Sequence, residues 1–142
     1  MQLHTLIFRK TIPPGARIRV LVVDDSVVIR RLVAHALSED PAVEVVGAAS
    51  NGAIALERIA QLNPDVITLD IEMPEMNGLD AARILTQLSP DTPILIVTLY
   101  VSKQLSDEAR KVGARGACEK TDIGAVVDAV GALLRQETYF PN

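Results

Sequence analysis

Short apolar runs alternate with longer amphipathic stretches along most of this chain. The runs predict buried strands at 18–23, 43–48, 66–69, 93–98 and 114–119. The stretches that follow them carry apolar residues at helical spacing and predict helices at 26–38, 51–61, 79–88, 103–112 and 121–135. We expect the first helix to bury an apolar stripe made of Val28, Ile29, Leu32, Val33 and Leu37.

The alternation of strands and helices favours an α/β three-layer sandwich, with a parallel sheet between two helix layers joined by right-handed crossovers. Composition agrees with this fold class. Hydrophobic residues make up 49% of the chain but aromatics only 3%, so the core is built from Val, Ile, Leu and Ala. Such residues are typical of a parallel sheet that is covered on both faces. With 142 residues, the chain is long enough for one such domain.

The chain divides into three segments. Residues 1–16 lack sustained periodicity and end in Pro13-Pro14-Gly15, which predicts a flexible N-terminal extension, with docking on a partner as the alternative. Residues 17–135 form the predicted domain. Residues 136–142 form a C-terminal tail or the start of a linker.

Charge and composition argue against several classes of protein. The net charge is −4 and no basic stripe is present, so direct nucleic-acid binding is not expected. No apolar run approaches the ~20 residues of a membrane span. Cys118 is the single cysteine, which leaves no internal disulfide and fits a reducing compartment. We expect a cytoplasmic protein that does not bind membranes.

Polar side chains follow four of the predicted strands at their carboxyl ends. Asp24 and Asp25 follow the first strand, Asp70 ends the third, Thr98 ends the fourth and Lys120 follows the fifth. The carboxyl ends of parallel strands share one edge of the sheet, where ligands bind, so these groups should converge. Two carboxylates ~4 Å apart repel by roughly 4 kcal/mol at an effective dielectric of ~20. The cluster therefore needs a cation, a proton or a function to explain it.

The chemistry of this cluster points to phosphoryl transfer. Three carboxylates with room for water make an oxygen-rich site that suits Mg²⁺. Asp70 could then act as a nucleophile through its second oxygen, since carboxylates form acyl phosphates. Lys120 and the Thr98 hydroxyl would bind the remaining phosphoryl oxygens. Each residue alone has a plain structural explanation, such as a turn, a helix cap or a surface charge, but the set in this order does not.

Residues 17–135 resemble the receiver domain of bacterial two-component response regulators. The resemblance rests on Val-Leu-Val-Val-Asp-Asp-Ser at 20–26, Asp-Ile-Glu-Met-Pro-Glu-Met-Asn-Gly at 70–78, Thr98 and Lys120. It implies a flavodoxin-like five-stranded parallel sheet in the order 2-1-3-4-5. Residues 25–33 are similar to chemotaxis methylesterase receivers, whereas 136–142 resemble the linker of regulators with a helix-turn-helix domain.

The resemblance also implies a set of roles and partners. Asp70 would accept a phosphoryl group from a histidine kinase or a phosphotransfer protein, and Thr98 and Lys120 would contact that group. Asp24, Asp25, Asp70 and the backbone carbonyl of Glu72 would hold Mg²⁺ or Mn²⁺. Such a domain signals to an output domain or a downstream protein and often forms a homodimer. It is not expected to be an enzyme beyond slow self-phosphorylation and self-dephosphorylation.

Four positions depart from the family pattern or bear on its readout. Thr121 replaces a proline that follows the lysine in a cis peptide, which leaves the peptide geometry open. Ala117 replaces a common aromatic, and Leu99 replaces a small residue whose size keeps the pocket open. These changes put the usual relay from threonine to aromatic in doubt. Tyr100 is our hypothesis for a substitute readout or lid.

Two other functions stay open at this point. A binding-only receiver would have lost phosphorylation, although the acids whose loss marks such proteins are present here. A phosphatase with an aspartyl nucleophile needs a second acid two residues later, and Glu72 occupies that position. Turnover of a generic phosphate ester would identify the phosphatase.

Overall fold

A computed structural model of the chain describes residues 15–141. Most of the predicted N-terminal extension therefore lies outside the described residues, as does Asn142. The strands are β1 (Ile18–Val23), β2 (Val43–Ala49), β3 (Val66–Asp70), β4 (Ile94–Thr98) and β5 (Gly116–Glu119). The helices are α1 (Val27–Ser38), α2 (Gly52–Leu62), α3 (Gly78–Leu88), α4 (Lys103–Lys111) and α5 (Ile123–Leu134).

The strands form one parallel sheet in the order β2-β1-β3-β4-β5, which confirms the predicted fold class. Strands β3 and β4 are buried along their whole length, as expected for central strands covered on both faces. Alternate residues of the strands point into two separate core layers. We call the layer under α2, α3 and α4 the first core layer, and the layer under α1 and α5 the second core layer.

Side-chain caps begin the helices close to their predicted starts. The Ser26 hydroxyl accepts a hydrogen bond from Ile29 N–H at 3.2 Å at the start of α1. Asp122 caps α5 by accepting from Ala125 N–H at 3.0 Å. Caps of this kind satisfy N–H groups that have no partner within the helix. No helix in the described part of the chain is long and apolar enough to cross a bilayer.

The predicted apolar stripe of α1 is wrong at two positions. Val33 and Leu37 are buried and Ile29 is half-buried, but Val28 and Leu32 are 62% and 48% exposed. Residues 29, 33 and 37 lie along one line of the helix at a spacing of four, and only that line reaches the second core layer. Residues 28 and 32 lie on the neighbouring line, which faces outward.

The segment after α5 returns to the sheet. Gln136 takes a left-handed conformation with φ of 63°, which ends the helix and turns the chain back. Tyr139 then pairs in parallel with Gly116 of β5. The sequence did not predict this contact, because a segment of a few residues has no periodicity to read.

Candidate functional site

Asp70 lies at the centre of the carboxyl edge of the sheet. It is the last residue of β3, which runs between β1 and β4, and its side chain is fully buried. Val23 of β1 pairs with Leu69, so the next residue of that chain segment, Asp24, comes beside Asp70. The register of two parallel strands therefore brings two buried carboxyl groups together, as the sequence predicts.

Asp25 completes an acidic cluster at this edge. One carboxylate oxygen each of Asp24, Asp25 and Asp70 lies within 4.8 Å of the other two. Asp24 and Asp70 are buried, whereas Asp25 faces solvent. Ser26 N–H donates to Asp24 Oδ1 at 2.8 Å and fixes the orientation of that carboxylate. The cluster is thus open to solvent at Asp25 and enclosed by the protein at Asp24 and Asp70.

Lys120 follows β5 and reaches back across the edge to the buried acids. Its Nζ lies 2.8 Å from Asp70 Oδ1 and 3.2 Å from Asp24 Oδ2, and the side chain is 8% exposed. Burial alone would lower the pKa of Lys120, but the hydrogen bond to Asp70 and the charge of Asp24 raise it above its ordinary value. The ammonium group therefore stays charged and neutralises part of the cluster.

The Glu72 side chain occupies the donors that the sequence assigns to a phosphoryl group. Thr98 Oγ1 donates to Glu72 Oε1 at 2.7 Å, and Leu99 N–H points to the same oxygen at 3.5 Å. Lys120 Nζ lies 3.8 Å from Glu72 Oε2. Partial burial works to raise the pKa of Glu72. The hydrogen bond from the Thr98 hydroxyl, together with the neighbouring Asp70, nevertheless lowers that pKa overall. Sequence reasoning gave Glu72 a role through its backbone carbonyl and, in the phosphatase alternative, as a second acid, but it missed the hydrogen bond with Thr98.

The two carboxylate oxygens of Asp70 differ in their hydrogen bonding. Oδ1 accepts from Lys120 and from Glu72 N–H at 3.0 Å, whereas Oδ2 is buried and has no hydrogen-bond partner among the described residues. Burial raises the pKa of Asp70 to about 7, with Glu72 and Asp24 adding to the rise and Lys120 opposing it. A buried oxygen without a partner, next to two further carboxylates, fits a hard divalent cation such as Mg²⁺.

Gly78 holds the loop after Asp70 close to the site. A side chain at this position would collide with the Asp70 carbonyl, so only glycine fits. Gly78 N–H donates to Ile71 O at 3.0 Å, which closes the loop that carries Glu72. The Asn-Gly pair in the sequence predicted a turn here but not the close approach to Asp70.

The positions proposed to modulate the site lie around its rim. Leu99 and Tyr100 are 63% and 72% exposed, so neither side chain covers Asp70 in this arrangement. Ala117 is fully buried in the first core layer. Thr121 is exposed, and the described residues contain no cis peptide, so the Lys120–Thr121 bond is trans. Their modulating roles stay predictions.

Comparison with known proteins gives a consistent picture. Residues 20–130 match a family model described as the response regulator receiver domain. The chain is 46% identical over 123 residues to a protein-glutamate methylesterase/protein-glutamine glutaminase of Nocardioides sp., covering 87% of this chain and 33% of that protein. A protein of the same description from Xanthomonas campestris pv. campestris is 51% identical over 109 residues, covering 77% of this chain and 28% of that protein.

A solved structure agrees with these sequence matches. The response regulator domain of Thermotoga maritima CheB superposes with a TM-score of 0.75 at 34% identity, covering 84% of this chain and 95% of that one. The present chain spans about a third or less of the curated relatives it matches.

Proposed function

The chain belongs to the response regulator receiver domain family, and we propose that Asp70 is its phosphoacceptor and works with Mg²⁺. The observation that carries this proposal is the environment of Asp70. Its carboxylate is buried, one oxygen has no partner, and Lys120 holds the other at 2.8 Å. A buried acid with a strongly raised pKa and an oxygen without a partner is typical of a functional group.

The proposed reaction is the transfer of a phosphoryl group from a phosphohistidine to Asp70. A carboxylate oxygen of Asp70 forms the new P–O bond as the P–N bond breaks, and the electron pair of that bond stays on the imidazole nitrogen, which takes a proton. Lys120 and Thr98 bind the phosphoryl oxygens and stabilise the charge that spreads over them. For this, Thr98 must release Glu72, because its hydroxyl proton serves one acceptor at a time.

The acidic cluster is the proposed metal site. Asp24, Asp25, Asp70 and the carbonyl of Glu72 would hold Mg²⁺, or Mn²⁺, and the ion would neutralise negative charge between the phosphoryl group and Asp70. The cluster supports this assignment because it offers oxygen ligands only, which hard cations prefer.

The partners follow from the family and from the relatives. A histidine kinase or a phosphotransfer protein would donate the phosphoryl group, in the cytoplasm. The curated relatives are named protein-glutamate methylesterases/protein-glutamine glutaminases. We therefore favour a methylesterase output domain, or a separate downstream protein, over a helix-turn-helix output. A homodimer formed on phosphorylation is a further part of the proposal.

One observation favours a second candidate, a receiver that signals by binding alone. The Glu72 carboxylate already accepts from Thr98 and lies near Lys120, so a negative group sits where phosphoryl oxygens would bind. If Glu72 did not move away, phosphorylation would be blocked.

Intact-protein mass separates the two candidates. The protein is incubated with Mg²⁺ and a small-molecule acyl phosphate, next to Asp70→Asn. We expect the mass of one phosphoryl group to be added to the wild type and not to the variant. If no mass is added to the wild type with any of several donors, the protein is a binding-only receiver. If equal mass is added to both, Asp70 is not the acceptor.

A further inference from the structure

The segment after α5 pairs with the edge strand β5 through a single parallel bridge between Tyr139 and Gly116. Tyr139 N–H donates to Arg115 O at 2.9 Å, and Tyr139 O accepts from Ala117 N–H at 2.8 Å. Without this pairing, β5 would be an edge strand that exposes these backbone groups. We call residues 138–141 the strap.

Two successive aromatic side chains fix the strap on both faces of the sheet. Tyr139 packs against the second core layer and Phe140 against the first. The Arg110 guanidinium of α4 lies 4.1 Å from the centre of the Phe140 ring, within range of a cation–π contact. The fully buried Ala117 belongs to the same layer as Phe140. The strap thus places the Phe140 ring on the first core layer, to which β5 contributes only the small side chain of Ala117.

A cavity separates the strap from the loop that carries Thr98. It measures about 230 Å³, and its lining includes Tyr139 and Pro141 of the strap together with Val101 and Glu119. Val101 N–H donates to Glu119 Oε2 at 3.0 Å. Thr98 and Val101 are the two ends of one short loop, residues 98–101. That loop touches the phosphoacceptor site at one end and the cavity under the strap at the other.

We propose that the strap and a ligand on Asp70 bind antagonistically through loop 98–101. This inference rests on the proposed function of Asp70. The strap is docked while Thr98 donates to Glu72 and Val101 to Glu119. A phosphoryl group takes the Thr98 hydroxyl from Glu72 and draws the loop towards Asp70. The Val101–Glu119 hydrogen bond is then lost, the cavity opens and the strap detaches.

Detachment would change what the surface of the domain offers. The N–H of Ala117 and the carbonyl of Arg115 would become available on the β5 edge, a site that accepts an extended peptide by β-strand addition. The freed Tyr139 and Phe140 would be apolar contacts for the same partner. The switch therefore exposes an edge and two aromatic rings together.

Docking is tested first, in the free protein, by amide hydrogen exchange followed by NMR. The Ala117 amide reports on the strap directly, because its acceptor is Tyr139 O. We expect Phe140→Ala to speed exchange at Ala117 by about fivefold or more. Thr138→Ala, which changes an exposed strap residue, should leave it unchanged. The Asp65 amide, bonded to Arg19 O on the far side of the sheet at 2.7 Å, is the internal reference.

Two results of this first experiment would overturn docking as described. Unchanged Ala117 exchange in Phe140→Ala would show that the ring does not hold the strap. Ala117 protection that rises with protein concentration would show that the strap docks on a second copy of the chain instead.

The second experiment tests the coupling between the strap and Asp70, with Mg²⁺ and beryllofluoride as the probe. Binding of beryllofluoride to the protein is followed separately by ¹⁹F NMR. We expect bound beryllofluoride to speed Ala117 exchange by about fivefold or more, within the usual range of coupling between sites. By reciprocity, Phe140→Ala should bind beryllofluoride more tightly, by at most the factor by which bound beryllofluoride speeds Ala117 exchange in the wild type. Beryllofluoride that binds but leaves Ala117 exchange unchanged would overturn the coupling. Failure of wild type and Phe140→Ala alike to bind it would overturn the proposed function of Asp70, and docking would stand on the first experiment.

Discussion

Replacing Asp70 with asparagine is expected to stabilise the metal-free protein at pH 8. The Asp70 carboxylate is fully buried, and its neighbours include a second buried carboxylate, Asp24. Burial raises its pKa from 3.8 to about 7, with Lys120 opposing the rise. The folded state therefore holds this proton more tightly than the unfolded state. As a result, ionised Asp70 lowers the free energy of unfolding.

The size of the effect follows from the two pKa values. Between about pH 4 and pH 7 the folded state still holds the Asp70 proton, whereas the unfolded state has already lost it. The free energy of unfolding therefore falls as the pH rises through this range. The pKa of Asp70 is higher in the folded state by about 3, which corresponds to about 4 kcal/mol at ~1.4 kcal/mol for each pKa unit. The asparagine also loses the ion pair with Lys120, which takes back part of the gain. We expect a net gain of about 2 kcal/mol at pH 8 and a smaller one at pH 5.

Urea unfolding in the presence of a chelator measures this difference. Asp91→Asn, which changes an exposed carboxylate, is the matched control and should leave stability unchanged at both pH values. Added Mg²⁺ should stabilise the wild type more than Asp70→Asn, since it binds the ionised cluster. The reasoning would be refuted if Asp70→Asn were no more stable than wild type at pH 8, or if its gain were the same at pH 5.

Three further predictions concern the same site. Glu72→Gln should accept a phosphoryl group from a small donor about fivefold faster than wild type, because a neutral amide binds the Thr98 hydroxyl more weakly, by about 1 kcal/mol. The control Glu75→Gln changes an exposed residue and should match wild type. Equal rates in the two variants would contradict this prediction. Mg²⁺ should bind up to about tenfold more weakly for each pH unit below 7, because it must displace the Asp70 proton. Calorimetry in buffers of different ionisation enthalpy should detect the released proton. An affinity for Mg²⁺ that does not depend on pH would count against the raised pKa of Asp70. Gly78→Ala should lose about 1–3 kcal/mol in urea unfolding, since its side chain meets the Asp70 carbonyl, and a variant of wild-type stability would show that the loop yields.

The convergence of Asp24, Asp70, Thr98 and Lys120 was predictable from the sequence. Each stands at the end of an apolar run, and the ends of parallel strands must meet at one edge whatever the details of packing. The strand order required the resemblance to receiver domains, because alternation of strands and helices is compatible with several orders.

Other features depend on contacts that no local pattern encodes. The apolar spacing of α1 made Val28 and Leu32 look like core residues, although the sheet covers a narrower line of that helix. The Glu72 carboxylate finds Thr98 only because β3 and β4 are neighbours with a fixed register. The pairing of Tyr139 with β5 is a long-range contact of a segment without periodicity. In each case the decisive partner is distant in the sequence.

A crystal structure of the protein with Mg²⁺ and beryllofluoride is the most direct test of the central claim that Asp70 is the phosphoacceptor. The account predicts a beryllium atom bonded to an Asp70 oxygen, a metal ion among the acidic residues, and fluorine atoms that accept from Thr98 Oγ1 and Lys120 Nζ. The Glu72 carboxylate should have left Thr98. A structure at saturating concentrations in which Asp70 carries no beryllium and Thr98 still donates to Glu72 would contradict it.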